Sequence, residues 1–202
     1  MNPRQPESRT PLISPRTLVL CAMMAATVGY RLVVHFVPGL LPYNFTPVEA
    51  MALFGGACFT RRSTALLVPL ATMLVSDAVI AFSLPASQVV AWLHMAPFIY
   101  ACIALTAIGG FALRGRVGVL NVLVAAVASA TGFYLVTNTL VWLLSGGYAP
   151  TASGLGACLV AGLPFYQYGT LPGTLLWSGL LFGGFALLTR RYGALATPAL
   201  SV

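Results

Sequence analysis

Five times between residues 17 and 189 the sequence runs for about twenty residues with little but apolar side chains: roughly 17–37, 63–83, 89–113, 117–144 and 170–189. A helix needs roughly 17–25 such residues to cross the hydrocarbon of a bilayer. Inside lipid every backbone amide must be satisfied, which leaves only helices and closed barrels. Continuous runs, in place of an apolar–polar alternation, select helices. Composition agrees: of 202 residues 59% are hydrophobic and 6% charged, whereas a soluble domain carries about a quarter charged residues. So little charge cannot cover a water-facing surface.

A sixth apolar run, about Thr46–Phe59, is bounded by Pro42, Pro47 and Arg61. Its roughly 14 residues would rise only about 21 Å as a helix, so it is expected to be short and packed inside the bundle. Residues 153–169 form a further apolar stretch that has to start and finish on the outer side. They are read as a half-helix ending near Pro164, the broken beginning of the last span.

The arginines set the orientation. Ten Arg and no Lys stand against Glu7, Glu49 and Asp77, for a net charge of +7. Arg4, Arg9 and Arg16 precede the first helix, Arg61 and Arg62 follow the second, Arg114 and Arg116 the fourth, Arg190 and Arg191 the sixth. With six spans these nine residues share one face, which the positive-inside rule makes cytoplasmic. The expected fold is therefore an all-α integral membrane protein of the bacterial inner membrane, a six-helix transmembrane bundle with both termini in the cytoplasm. Its expected parts are a disordered tail at 1–16, one membrane domain at 17–191 and a tail at 192–202. The first run is retained as a helix, because Arg31 and His35 close it where a signal peptide would carry a small-residue cleavage site.

Charged and amide side chains are costly within a membrane and tend to face a bundle interior or an aqueous cavity. Arg31, Glu49, Asp77, His94 and Asn138 each lie about three to six residues from the outer end of their span, within roughly 10 Å of the outer face. The cytoplasmic halves are almost free of ionisable groups. One polar layer drawn from five helices is the pattern expected of an outward-opening pocket. Tyr43, Phe45, Trp92, Tyr134, Trp142, Tyr148, Tyr166 and Tyr168 sit at similar depth or just above it. Competing readings stay open: aromatics at a membrane boundary are often belt residues, and Arg31 can serve to neutralise Glu49 or Asp77.

Several function classes find no support in the residues. No basic stretch interleaved with aromatics points to nucleic acid, and no phosphate-binding loop points to ATP hydrolysis. Cys21, Cys58, Cys102 and Cys158 lack metal-ligand spacing, so neither metal nor cofactor is expected. A membrane redox or enzymatic protein would need a nucleophile with its base, or paired His ligands. His35 and His94 share an approximate depth, but no nucleophile motif accompanies them. A structural or assembly partner without a ligand is the third alternative.

Residues 44–57 (Asn-Phe-Thr-Pro-Val-Glu-Ala-Met-Ala-Leu-Phe-Gly-Gly-Ala), residues 69–77 ending in Ser76-Asp77, Thr137-Asn138 with Trp142 and Tyr148, and Leu163-Pro164-Phe165 resemble a family of small uncharacterised bacterial membrane proteins. That family is itself similar to the substrate-binding S components of energy-coupling-factor (ECF) vitamin transporters. The resemblance runs from about Arg31 to Arg191. It implies six helices with both termini inside, and a small-molecule pocket near the outer face gated by the loops Pro38–Phe45, Ser83–Gln88 and Ser145–Ser153. It further implies an Ala-x-x-x-Ala contact, here Ala22 and Ala26, with the membrane subunit of an energising module that carries two ATPases. Cobalamin is one candidate vitamin, although the loop cysteine associated with cobalt in that group has no counterpart in Ser83–Gln88. The residues expected to meet the substrate are Asn44, Phe45, Glu49, Asp77, His94, Asn138, Trp142, Tyr148 and Tyr166.

Overall fold

The computed structural model describes residues 14–196. Residues 1–13, which hold Arg4 and Arg9 and most of the expected first tail, and the last six residues lie outside the described residues.

The described residues form helices and no strand. Helix α1 (Pro15–Phe36) begins at Ser14, whose hydroxyl accepts from the Thr17 amide at 3.2 Å, with proline at its first position, where a missing N–H costs nothing. Helix α2 (Val48–Cys58) starts after Pro47 and has every residue buried except Ala57. Next come α3 (Arg62–Ala81), then α4 (Ala86–Gly110), prolonged by a 3₁₀ turn at Phe111–Leu113, and α5 (Val119–Leu144). Residues 152–191 are one continuous helical stretch: α6 (Ala152–Phe165), a π turn at Tyr166–Thr170, α7 (Leu171–Ser178), a second π turn at Gly179–Gly183, and α8 (Gly184–Arg191). Five of these helices are long and apolar enough to cross a membrane, and α2, at 11 residues, is not. Leu18, Phe82, Val119, Leu120 and Leu187 are each at least 64% exposed, an apolar outer surface that a protein in water does not tolerate and lipid does.

One expectation changes here. Helix α6 does end near Pro164, at Phe165, but no break follows, because it passes into the π turn without a loop. Proline removes one intrahelical donor, and the wider turn that follows keeps the chain helical.

The short helix is the hub, as its bounding prolines led us to expect. Phe54 meets Phe182 and Phe185 edge-on at 5.3 and 5.7 Å between ring centres, and Leu20 and Met24 of α1 join the same core. On its other side a Cβ at Gly56 would strike the Ala107 carbonyl, and one at Gly110 the Leu53 carbonyl. Glycine at these two places lets the α2 and α4 backbones touch, the small-residue contact that replaces hydrophobic burial as the glue between membrane helices.

Among the described residues the arginines other than Arg31 collect at one end of the bundle. Arg16 donates to the Cys58 and Leu195 carbonyls at 2.9 and 2.8 Å, and Arg114 to those of Gly56 and Phe59, both at 2.9 Å. Arg62 lies 5.8 Å from the Phe111 ring. Guanidinium groups thus tie the α1, α2, α4 and α8 ends together by satisfying carbonyls that helix termini leave open.

Candidate functional site

At the opposite, arginine-poor end the loop between α1 and α2 folds inward. Gly39 and Asn44 both take left-handed backbone angles, φ +82° and +62°, which glycine adopts freely and asparagine more readily than most residues. The Phe45 amide closes a turn on the Pro42 carbonyl at 3.1 Å. The loop is strapped on two sides. Tyr30 of α1 donates its hydroxyl to the Phe45 carbonyl at 3.0 Å, and across the molecule Gly169 lies so close to the Tyr43 carbonyl that no Cβ would fit. The Tyr43 ring rests edge-on against Phe165 at 5.7 Å.

Beneath and beside this loop are two cavities. The larger, about 380 Å³, is lined by Tyr30, Arg31, Val34 and His35 of α1, the loop from Pro38 to Thr46, and Ile80 of α3. The smaller, about 180 Å³, lies between α5 and the α6–π turn region and is lined by Tyr134, Thr137, Asn138, Gly162, Phe165 and Tyr166 among others. Asn44 lines both, so the loop is the partition between them.

The expected site residues therefore divide. Asn44 and Phe45 line the larger cavity, Asn138 and Tyr166 the smaller. Asn138 spends its amide N–H on the Tyr134 carbonyl at 2.8 Å, and Gly162 is glycine because the Asn138 side chain fills the space a Cβ would need. Tyr166 bonds Thr131 at 2.8 Å and stacks, tilted, on Tyr134 at 4.9 Å. Asp77 is spoken for by the protein: Arg31 donates to its Oδ1 at 2.8 Å and Tyr100 to its Oδ2 at 2.9 Å. The Arg31–Asp77 contact is the one ion pair among the described residues, and Ser76 and the Met73 sulfur also accept from Arg31. The small void beside Asp77, about 30 Å³, suits a water more than a ligand.

The remaining expected residues lie apart. Glu49 is 3% exposed and takes one bond from Thr174 at 3.4 Å; neither cavity reaches it. His94 is exposed on α4 and lines neither cavity, whereas His35 lines the larger. No group of three metal-capable side chains occurs among the described residues. Trp142 braces the next loop by donating to the Ala149 carbonyl at 2.8 Å, and Tyr148 is half-buried outside both cavities. Ala22 and Ala26 are exposed on α1, with Leu20, Met24 and Thr27 buried on its other face.

Residues 12–199 match a family of unknown function, DUF6580. The chain belongs to that family. No curated protein and no solved structure matches it. The cavity-lining side chains of this DUF6580 member that were not among the expected substrate contacts are Tyr30, Arg31, His35, Tyr43 and Tyr134, of which the sequence does place Arg31, Tyr43 and Tyr134 at the right depth. Arg31 and His35 did carry a signal, since residues four apart share a helix face, as do Tyr30 and Val34.

Proposed function

We propose that the protein is a membrane-embedded substrate-binding protein for uptake of a small nutrient, most simply a vitamin, working like the S component of an ECF transporter. In this reading it crosses the bacterial inner membrane six times, α2 being the short second crossing inside the bundle. The arginine-rich end faces the cytoplasm by the positive-inside rule, and the loop-covered cavity faces outward. The observation that carries the proposal is the cavity of about 380 Å³ at the arginine-poor end, within the range of small-molecule sites, which are largely apolar with a few placed polar groups. Here those groups are the Tyr30 hydroxyl, the His35 ring, Asn44 and one edge of Arg31, with Phe45 and Tyr43 available to stack.

The size favours a compact heterocycle. Cobalamin would require the 37–47 loop to lift and the two cavities to merge. Uptake would proceed by loop movement and reorientation, with ATP hydrolysed on separate subunits of an energising module. The exposed Ala22 and Ala26 offer a close-approach face of the kind helices in membranes use.

The test is thermal unfolding of the purified full-length protein in lipid nanodiscs against a panel of water-soluble vitamins. A ligand at 100 times its Kd adds about 2.7 kcal/mol of stability. One compact vitamin is expected to raise the midpoint in wild type and not in Val34→Trp, whose ring would occupy the cavity. A flat panel, together with no small molecule on protein isolated from its native membrane, contradicts the proposal.

A further inference from the structure

At the arginine-rich end, far from the loop-covered cavities, a groove of about 390 Å³ runs between the start of α5 and the α7–α8 stretch. Its walls are carbon: Val119, Val122 and Leu123 on one side, Leu175, Phe182 and Ala186 on the other. The rim is open, since Val119, Leu123, Gly179, Gly183 and Ala186 are all exposed. A Cβ added at Gly179 or Gly183 would meet nothing within 4 Å.

Three polar features break this apolar lining. The Ser178 hydroxyl lines the groove, is 1% exposed and has no hydrogen-bond partner; such a group is costly to bury unpaired. Arg190 lines the mouth, is exposed, and has no carboxylate partner among the described residues. Beside it α5 begins at Gly118, with no side-chain cap and no acidic residue in its first turn. The first amides of that 26-residue helix therefore lack intrahelical acceptors and present the positive end of its dipole.

A slot for a hydrocarbon chain, open sideways at the protein surface, with a cation and free amides at its arginine-rich end, is complementary to an amphiphile with an anionic head. We infer that this groove binds one anionic phospholipid. Its phosphate would meet Arg190 and the α5 N-terminus, and an acyl chain would run inward between Val122 and Phe182 towards Ser178. The inference is independent of what, if anything, the loop-covered cavities carry.

Native mass spectrometry of the delipidated full-length protein, titrated with phosphatidylglycerol or phosphatidylcholine of identical chains, tests it. The first phosphatidylglycerol should bind about fivefold more tightly than phosphatidylcholine, one surface arginine's share. Arg190→Gln should erase that preference. Gly179→Leu, which fills the slot without a clash, should weaken both lipids together. Equal binding of the two lipids to wild type, undiminished binding to Gly179→Leu, or full displacement of phosphatidylglycerol by glycerol phosphate would overturn the inference. The last result would mean that only a soluble anion is recognised.

Discussion

Asp77 on α3 and Asn138 on α5 lie about the same number of residues from the ends of their helices, yet the bundle treats them oppositely. Asp77 has both oxygens bonded, to Arg31 and to Tyr100, with room beside it for little more than a water. Asn138 donates one side-chain hydrogen bond to its own helix, packs its amide on Gly162 and lines a cavity of about 180 Å³. An unpaired ion in a low-dielectric interior costs several kcal/mol, so the protein must settle a carboxylate before any ligand arrives. A neutral amide costs far less to leave facing a space. In this molecule Asp77 and Arg31 hold helices together, Arg31 lining the larger cavity as well, while the neutral Asn138 lines the smaller.

That contrast predicts a graded set of effects. Asp77→Ala strands the Arg31 guanidinium, 14% exposed, and should cost about 3–5 kcal/mol in denaturant unfolding; replacing the pair together, Arg31→Met with Asp77→Leu, should recover most of it. A loss under about 1 kcal/mol for the single variant would place the pair in an aqueous setting and break the comparison. Tyr100→Phe removes a bond to a charged acceptor and should cost about 1.5–3 kcal/mol by the same measurement. Asn138→Ala should cost only about 1 kcal/mol while weakening any ligand of the smaller cavity. Asn44→Gly keeps the left-handed backbone and should leave stability within about 0.5 kcal/mol, yet remove an amide from both cavities; a large stability loss would make Asn44 a structural strut.

Much of the architecture was legible because lipid makes helix length and charge placement nearly compulsory. Four of the five long helices start and stop within a few residues of the apolar runs, the fifth beginning at Ala152, well before its run at 170–189, and Pro47 and Arg61 bounded a helix too short to span by itself. Pro164 misled only in part: α6 ends one residue past it, but nothing local announces that a π turn at Tyr166–Thr170, and not a break, follows. In the site, depth along the helix could be counted from the sequence but azimuth could not. His94 therefore joined the polar layer on paper, although in the structure it is exposed on α4. Asp77 and Arg31 could be paired by charge, whereas the third partner, Tyr100, is phenolic, lies midway along α4, and has no signature that separates it from other membrane tyrosines.

The central claim is that the space under the 37–47 loop holds a small molecule. Native mass spectrometry of the full-length protein released directly from its own membrane, wild type beside Val34→Trp, reads this most directly. The account predicts one low-mass adduct per chain on wild type, absent from the variant at equal folded yield. A bare wild-type mass, or the same adduct on both proteins, would contradict it.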